Sequence, residues 1–291
     1  VLFYEATTLN PILLEEIFLK NDLDLVIDLA SSKGIGPSLS KPLAYYHNNL
    51  GSALNLLSCM EEYHVHNIIF GSSSSVYGPQ IVNPIDEFHP TNVTNPYGQS
   101  KIMLEKVLQD TYQSNPDWNI RIIRLFNPVS AHESGLLGES KERGVANILS
   151  YLSFKAINNE VFTINGHDYQ TPDGTCLRDY IHVTDVANSF LKAINEMELH
   201  PHTFNIYNIG SGKGTSILEL IHAFEKNVGI SINYEFGPNR STDLPIVIAD
   251  TRKAQIDLDF SCTHYLDDMV RDAYTYERYQ SIYQENIHKL I

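Results

Sequence analysis

Cysteine is scarce in this 291-residue chain: Cys59, Cys176 and Cys262 are the only three, with no C-x-x-C pair. That count argues against a disulfide framework or a zinc site, and it fits a reducing cytosol, so a cytoplasmic location is expected. Basic residues are also few. Lys and Arg total 20 against 35 Asp and Glu, a formal net charge of -15, and no cationic cluster stands out. Non-specific binding to nucleic acid or to an acidic membrane needs clustered cations that release counterions, so neither partner is expected. One or two placed arginines can still hold a small diphosphate against that adverse charge. No run reaches the roughly 18 apolar residues of a membrane span. Val1-Leu2-Phe3-Tyr4 is short and uncharged, so no secretory leader is expected. Long single-sign charge runs and low-complexity segments are missing too, which argues against disorder. What remains is a 43% hydrophobic composition, enough at this length to fill one large domain or two associated ones.

The first half alternates short apolar strands with helical stretches. Residues 25–30, 67–70 and 120–125 read as buried strands, preceded by helices over about 11–19, 49–63 and 96–112. This alternation predicts an α/β fold, a Rossmann-like doubly wound parallel sheet. Ligands of such sheets gather beyond the carboxyl ends of the strands, so the loops after Ala30, Phe70 and Leu125 should carry chemistry. After residue 128, Pro, Gly and His punctuate the chain, and strands or helices over 161–164, 204–209, 217–224 and 232–236 are shorter. We therefore expect a first domain over 1–128 and a smaller α/β domain over 129–291, with some segments returning to the sheet.

The strongest local signal is Tyr97-Gly98-Gln99-Ser100-Lys101, with Asn95 and Pro96 before it as helix N-cap and first-turn proline. Tyr97 and Lys101, four apart, share a helix face. A phenol of pKa ~10 is a poor base at neutral pH unless a neighbouring ammonium favours the phenolate. Taken singly, such a pair arises by chance on many helices. So does a serine-rich strand end such as Phe70-Gly71-Ser72-Ser73-Ser74-Ser75-Val76-Tyr77-Gly78. Gly210-Ser211-Gly212-Lys213-Gly214-Thr215 lacks phosphate-loop spacing, because Gly214 separates Lys213 from Thr215. His64 and His66 read as a solvent-facing pair, and no metal site is expected.

In sequence, the serine-rich strand end followed about two dozen residues later by Tyr-x-x-x-Lys is much rarer. It resembles the triad of the nucleotide-sugar epimerases in the extended short-chain dehydrogenase/reductase family, the NAD-dependent epimerases and dehydratases. By register against Val76-Tyr77-Gly78, Ser73 matches the catalytic serine, Tyr97 the base and Lys101 its partner. The stretch Lys41 to Asn49, the run Arg124-Leu125-Phe126-Asn127-Pro128 and the block Asp173-Gly174-Thr175…Arg178-Asp179-Tyr180-Ile181-His182-Val183 are similar to further family motifs. So are Arg240 and Asp243 before Leu244-Pro245. The similarity runs from about Glu5 to Val270.

That resemblance implies an isomerase of galactose metabolism that interconverts UDP-glucose and UDP-galactose by hydride transfer to and from NAD, through a 4-keto sugar. It implies cofactor contacts from Ala30, Lys33, Asn49, Tyr97 and Lys101, and nucleotide-sugar contacts from Asn127, Asn147, Arg178, Arg240 and Asp243. It further implies a UDP-hexose substrate and a homodimer built through a helix bundle.

Some positions depart from the family pattern. The G-x-x-G-x-x-G turn is not seen; Gly34-Ile35-Gly36 is the nearest candidate, with Leu39 where a third glycine is needed. Val1 to Glu5 resemble the family's third strand, so the Rossmann-like sheet of 1–128 is expected to be N-terminally incomplete, with an apolar edge left bare. Thr7, Asp28, Ser31, Leu125 and Asn165 replace the family's usual residues, and Ala146-Asn147 keeps one of two paired asparagines. These departures leave open a non-catalytic homologue that binds a nucleotide sugar or a protein partner without NAD. A nucleotide-sugar dehydratase or decarboxylase ranks last, because Ser74 and Ser75 follow Ser73 where dehydratases generally carry Asp-Glu.

Overall fold

A computed structural model describes residues 1–79, 82–139, 147–240 and 243–288. The chain runs through α1 (Pro11–Lys20), β1 (Val26–Asp28), α2 (Ile35–Ser40), α3 (Pro42–Glu62), β2 (Asn67–Ser73), a 3-10 turn (Ser74–Val76) and α4 (Pro96–Ser114). It continues with β3 (Asn119–Leu125), β4 (Asn127–Val129), α5 (Ile148–Ile157), β5 (Phe162–Asn165), β6 (Leu177–His182), α6 (Val183–Leu199) and β7 (Phe204–Ile209). Last come β8 (Gly214–Ser216), α7 (Ile217–Val228), β9 (Tyr234–Gly237), β10 (Ile246–Val247), α8 (Arg252–Asp257) and α9 (Leu266–His288).

Two compact units emerge. The first comprises 1–81, 87–125 and 190–208; the second comprises 82–86, 126–189 and 209–291. The chain passes from the first unit to the second at 125/126, and the segment 190–208 belongs to the first unit. A buried arginine ties that segment down. Arg121 is paired with Glu196, and its guanidinium donates to the Thr203 carbonyl at 2.9 Å and to the His200 carbonyl at 3.0 Å.

The first unit is built on a sheet of order β1-β2-β3-β7. β1 and β2 pair in parallel with Asp28 beside Phe70, and β2 pairs in parallel with β3 from Asn67↔Asn119 to Ser73↔Leu125. Ile68, Ile120 and Ile122 of the strands pack with Met60 of α3, Leu104 and Leu108 of α4, and Trp118. The parallel α/β architecture is as the alternation predicts. α4 begins where the sequence signals: the Asn95 side chain accepts from Gly98 N at 2.8 Å and Pro96 occupies the first turn. Such a cap is worth about 1 kcal/mol.

Val1 to Glu5 form no strand. Residues 1–7 are exposed, and an extended segment becomes a strand only when a partner supplies its ladder hydrogen bonds. Among the described residues none runs beside it. β1 is also shorter than expected, because Ala30 N donates to Asp28 Oδ1 at 3.0 Å and this side-chain-to-backbone turn ends the strand.

In the second unit β10 and β4 flank β6 in parallel, β8 pairs with β6 antiparallel, and β5 pairs with β9. Leu149 and Leu152 of α5, Leu220, Ile221 and Phe224 of α7, and Val270 of α9 fill its core. α7 carries a reciprocal cap between Ser216 and Glu219 and ends on Gly229 in the left-handed conformation.

Candidate active site

The catalytic candidates all lie in the first unit, around the carboxyl end of β2 and the first turns of α4. Ser73 closes β2 and caps the following 3-10 turn, accepting from Ser75 N at 3.2 Å and from Ser75 Oγ at 3.0 Å. Gly98 lets α4 come close: a Cβ there would stand 2.8 Å from the Ser75 carbonyl oxygen. The close approach puts Tyr97 next to Ser73. Burial raises the Tyr97 pKa, the Ser73 hydroxyl lowers it by hydrogen bonding, and Tyr45 raises it. The shared helix face predicts that the Lys101 ammonium lowers it as well. In the structure the ammonium is turned toward the sheet, where Nζ donates to the Gly71 carbonyl at 2.7 Å and lies 4.7 Å from the centre of the Phe70 ring. Lys101 is only 3% exposed. Burial brings its pKa down to about 8, while the Asp28 and Glu105 carboxylates pull it upward.

Asn49, expected as a direct cofactor contact, is fully buried. Its Oδ1 accepts from Ser32 N at 2.7 Å, and its Nδ2 donates to the Ser32 carbonyl at 3.2 Å and to Ser100 Oγ at 2.9 Å. Asn49 thus pins the loop after β1 to α4. The same loop exposes Ala30 and Lys33, and the Lys33 carbonyl is held by the Tyr45 hydroxyl at 2.5 Å.

Next to these groups lies a buried polar network that no local motif in the sequence predicts. Arg124 forks onto Glu105, with Nη2 to Oε2 at 2.6 Å and Nε to Oε1 at 3.1 Å. Its Nη1 donates to Tyr77 Oη at 2.8 Å and to the Glu87 carbonyl at 3.3 Å. Ser72 Oγ donates to Glu105 Oε1 at 2.5 Å, and Tyr77 Oη donates to Asn208 Oδ1 at 2.6 Å. Burial pushes the Tyr77 pKa up to about 12 despite Arg124, so the phenol stays protonated. The network joins the residue before Ser73, the turn after it and the helix that carries Tyr97. The signal was present in the sequence as an arginine within the apolar run of β3.

The nucleotide-sugar candidates lie in the second unit. Arg178 on β6 donates from Nη1 to the Leu244 carbonyl at 2.6 Å, and its Nη2 is 3.9 Å from Asp243 Oδ1. Arg240 is exposed. With the Asn165 amide oxygen turned toward it, that oxygen accepts from Nη2 at 2.7 Å and Nε at 3.3 Å. The replacement at Asn165 therefore supplies a polar partner for Arg240. Asn127 opens β4 opposite Tyr180 of β6. Asn147 caps α5 through Leu149 N at 3.1 Å and donates to the Pro128 carbonyl at 2.7 Å, so its side chain already joins α5 to β4.

The Gly210–Thr215 turn is filled from within. Asp179 accepts from Ser211 N at 2.6 Å, Gly212 N at 3.0 Å and Ala249 N at 3.0 Å. A Cβ on Gly210 would stand 2.6 Å from Asp179 Oδ2, so glycine is needed there for the carboxylate to reach the amides. Among the described residues no cluster of His, Cys, Asp and Glu could hold a metal ion, all three cysteines are free, and no helix is long and apolar enough to cross a membrane.

The model of the NAD dependent epimerase/dehydratase family matches residues 2–210. The UDP-glucose 4-epimerase of Bacillus subtilis is 39% identical over 276 residues, 94% of this chain and 81% of that protein. Among solved structures, UDP-glucose 4-epimerase from Bifidobacterium longum in complex with NAD+ and UDP superposes with a TM-score of 0.91 at 40% identity. That alignment covers 96% of this chain and 83% of the other. The enzyme from Stenotrophomonas maltophila, with bound NAD and formylated UDP-arabinopyranose, gives a TM-score of 0.94 at 33% identity and covers 97% and 84%.

Proposed function

The chain belongs to the NAD dependent epimerase/dehydratase family, and from that premise we propose that it is a UDP-glucose 4-epimerase, an NAD-dependent isomerase of galactose metabolism. The observation that carries this reading is the juxtaposition of Ser73 with Tyr97 at the carboxyl end of β2, with the Lys101 ammonium fixed one helical turn away.

The donor set suits the nicotinamide–ribose end of a dinucleotide: a phenol, a hydroxyl and an ammonium around one strand end. Tyr97 and Lys101 would hold that end, and Ala30 and Lys33 would line the loop that Asn49 fixes. When bound, NAD supplies a reversible hydride acceptor for C4 of the hexose. Tyr97 takes the proton of the 4-hydroxyl, Ser73 hydrogen-bonds to the same oxygen, and Tyr97 returns the proton after the 4-keto sugar has presented its other face. Burial keeps the resting Tyr97 protonated, so it becomes a base only when positive charge is brought near the phenol. Arg178, Arg240 and Asp243 bind the nucleotide diphosphate and ribose, with Asn127 and Asn147 on the same unit.

We also assign the protein to the cytoplasm, which suits its unpaired cysteines, and to a homodimer, which rests on the family resemblance. UDP-galactose should convert to UDP-glucose, with activity restored or raised by added NAD. Tyr97→Phe should lower kcat by about 10²- to 10⁴-fold while UDP binding stays close to wild type. UDP binding with neither turnover nor bound nicotinamide would instead support the binding-only alternative, and near-normal turnover by Tyr97→Phe would remove Tyr97 as the base.

A further inference from the structure

The Lys101 ammonium is nearly sealed from water, and the charge that balances it is not supplied by the triad. On β2 it meets a carbonyl and a ring, those of Gly71 and Phe70. On its own helix the nearby carboxylate is Glu105, which is forked onto Arg124 and also accepts from Ser72. Tyr97, also on α4, is a protonated phenol at rest. From α3 the neighbours in this part of the core are Ala53 and Leu57, which carry no charge.

β1 supplies the remaining carboxylate. Asp28 sits beside Phe70 in the parallel register, is only 6% exposed, and lines a crevice with Leu57, Phe70 and Leu104 that leaves no room for water. Its one backbone hydrogen bond, from Ala30 N at 3.0 Å, does not neutralise a charge. A buried carboxylate without a cation is strongly disfavoured, and so is a buried ammonium without an anion.

We propose that Asp28 is a positioning residue: its buried carboxylate is the counter-ion that keeps the Lys101 ammonium charged and seated at the Gly71 carbonyl. Each group acts on the other's ionisation in the sense this requires, Asp28 raising Lys101 and Lys101 lowering Asp28, against burial that opposes both charges. The catalytic consequence rests on the epimerase reading, but the interaction between the two buried charges does not. Removing the Asp28 charge lowers the Lys101 pKa further below about 8, so the alkaline limb of activity moves toward neutral pH.

The test is an NMR titration of the protein labelled with 13Cε-lysine, with the Lys101 signal assigned by its loss in Lys101→Met. Asp28→Asn should move the Lys101 titration down by about one pH unit or more, and Asp28→Glu should recover much of that shift. The alkaline limb of UDP-galactose conversion should follow in parallel. Reciprocally, the Asp28 carboxyl, read from 13Cγ-aspartate, should titrate higher in Lys101→Met than in wild type. This second measurement carries the test if Asp28→Asn does not fold. A Lys101 titration unmoved by Asp28→Asn, or an Asp28 titration unmoved by Lys101→Met, overturns the proposal. Reciprocal shifts in a protein that shows no epimerisation uphold the counter-ion and refute the epimerase reading instead.

Discussion

Replacing Arg124 by leucine tests whether the buried network beneath the catalytic strand end stabilises the first unit. Arg124 and Glu105 are 4% and 5% exposed at the side chain. The guanidinium makes four hydrogen bonds, two to Glu105 and one each to Tyr77 and the Glu87 carbonyl. Arg124→Leu leaves the Glu105 carboxylate buried against Ser72 without its cation, which costs about 3–5 kcal/mol. Glu105→Leu strands the arginine by the same logic and at a similar cost. The double variant removes both charges and fills the space with apolar side chains, so it should cost less than either single change. The two substitutions should therefore couple by about 2 kcal/mol or more. Urea unfolding of all four proteins measures this from midpoints and slopes. A single variant that loses under about 1 kcal/mol, or a double variant whose loss equals the sum of the singles, would refute the argument.

Burial lowers the His182 pKa, the stacked His264 charge acts in the same direction, and Asp272 and Asp185 oppose it. A histidine pKa below its unfolded value of about 6.5 gives stability that is complete above that pH and is lost as the pH falls through it. Unfolding midpoints should thus drop between about pH 7 and pH 5, and His182→Gln should flatten the dependence; equal slopes in both proteins would contradict this. Arg240→Ala should weaken UDP binding by about 10- to 100-fold, the worth of a charge-assisted hydrogen bond, with calorimetry as the check and unchanged affinity as the refuting result.

Local rules settled a good deal from the sequence alone. Asn95 and Pro96 start α4 as their chemistry demands, and the four-residue spacing of Tyr97 and Lys101 puts both on that helix. The alternation of apolar strands with helices specified a parallel α/β sheet, because side-chain periodicity and turn residues act over a few positions. The order of the motifs placed the chain in its family.

Tertiary structure decided what those residues touch. Lys101 faces Gly71, 30 positions away, and Tyr77 reaches Asn208 across 131. Asn49 is hydrogen-bonded to Ser32 and Ser100, and the Ser211 and Gly212 amides of the Gly210–Thr215 turn are taken by Asp179. The segment Val1 to Glu5 has strand character in its sequence but no ladder partner among the described residues. In each case the outcome depends on which elements lie beside which, and on how deeply the side chains between them are buried. Neither is encoded in a local spacing. Burial then shifts the pKa values of Tyr97, Lys101 and Asp28, and burial is a property of the packed chain.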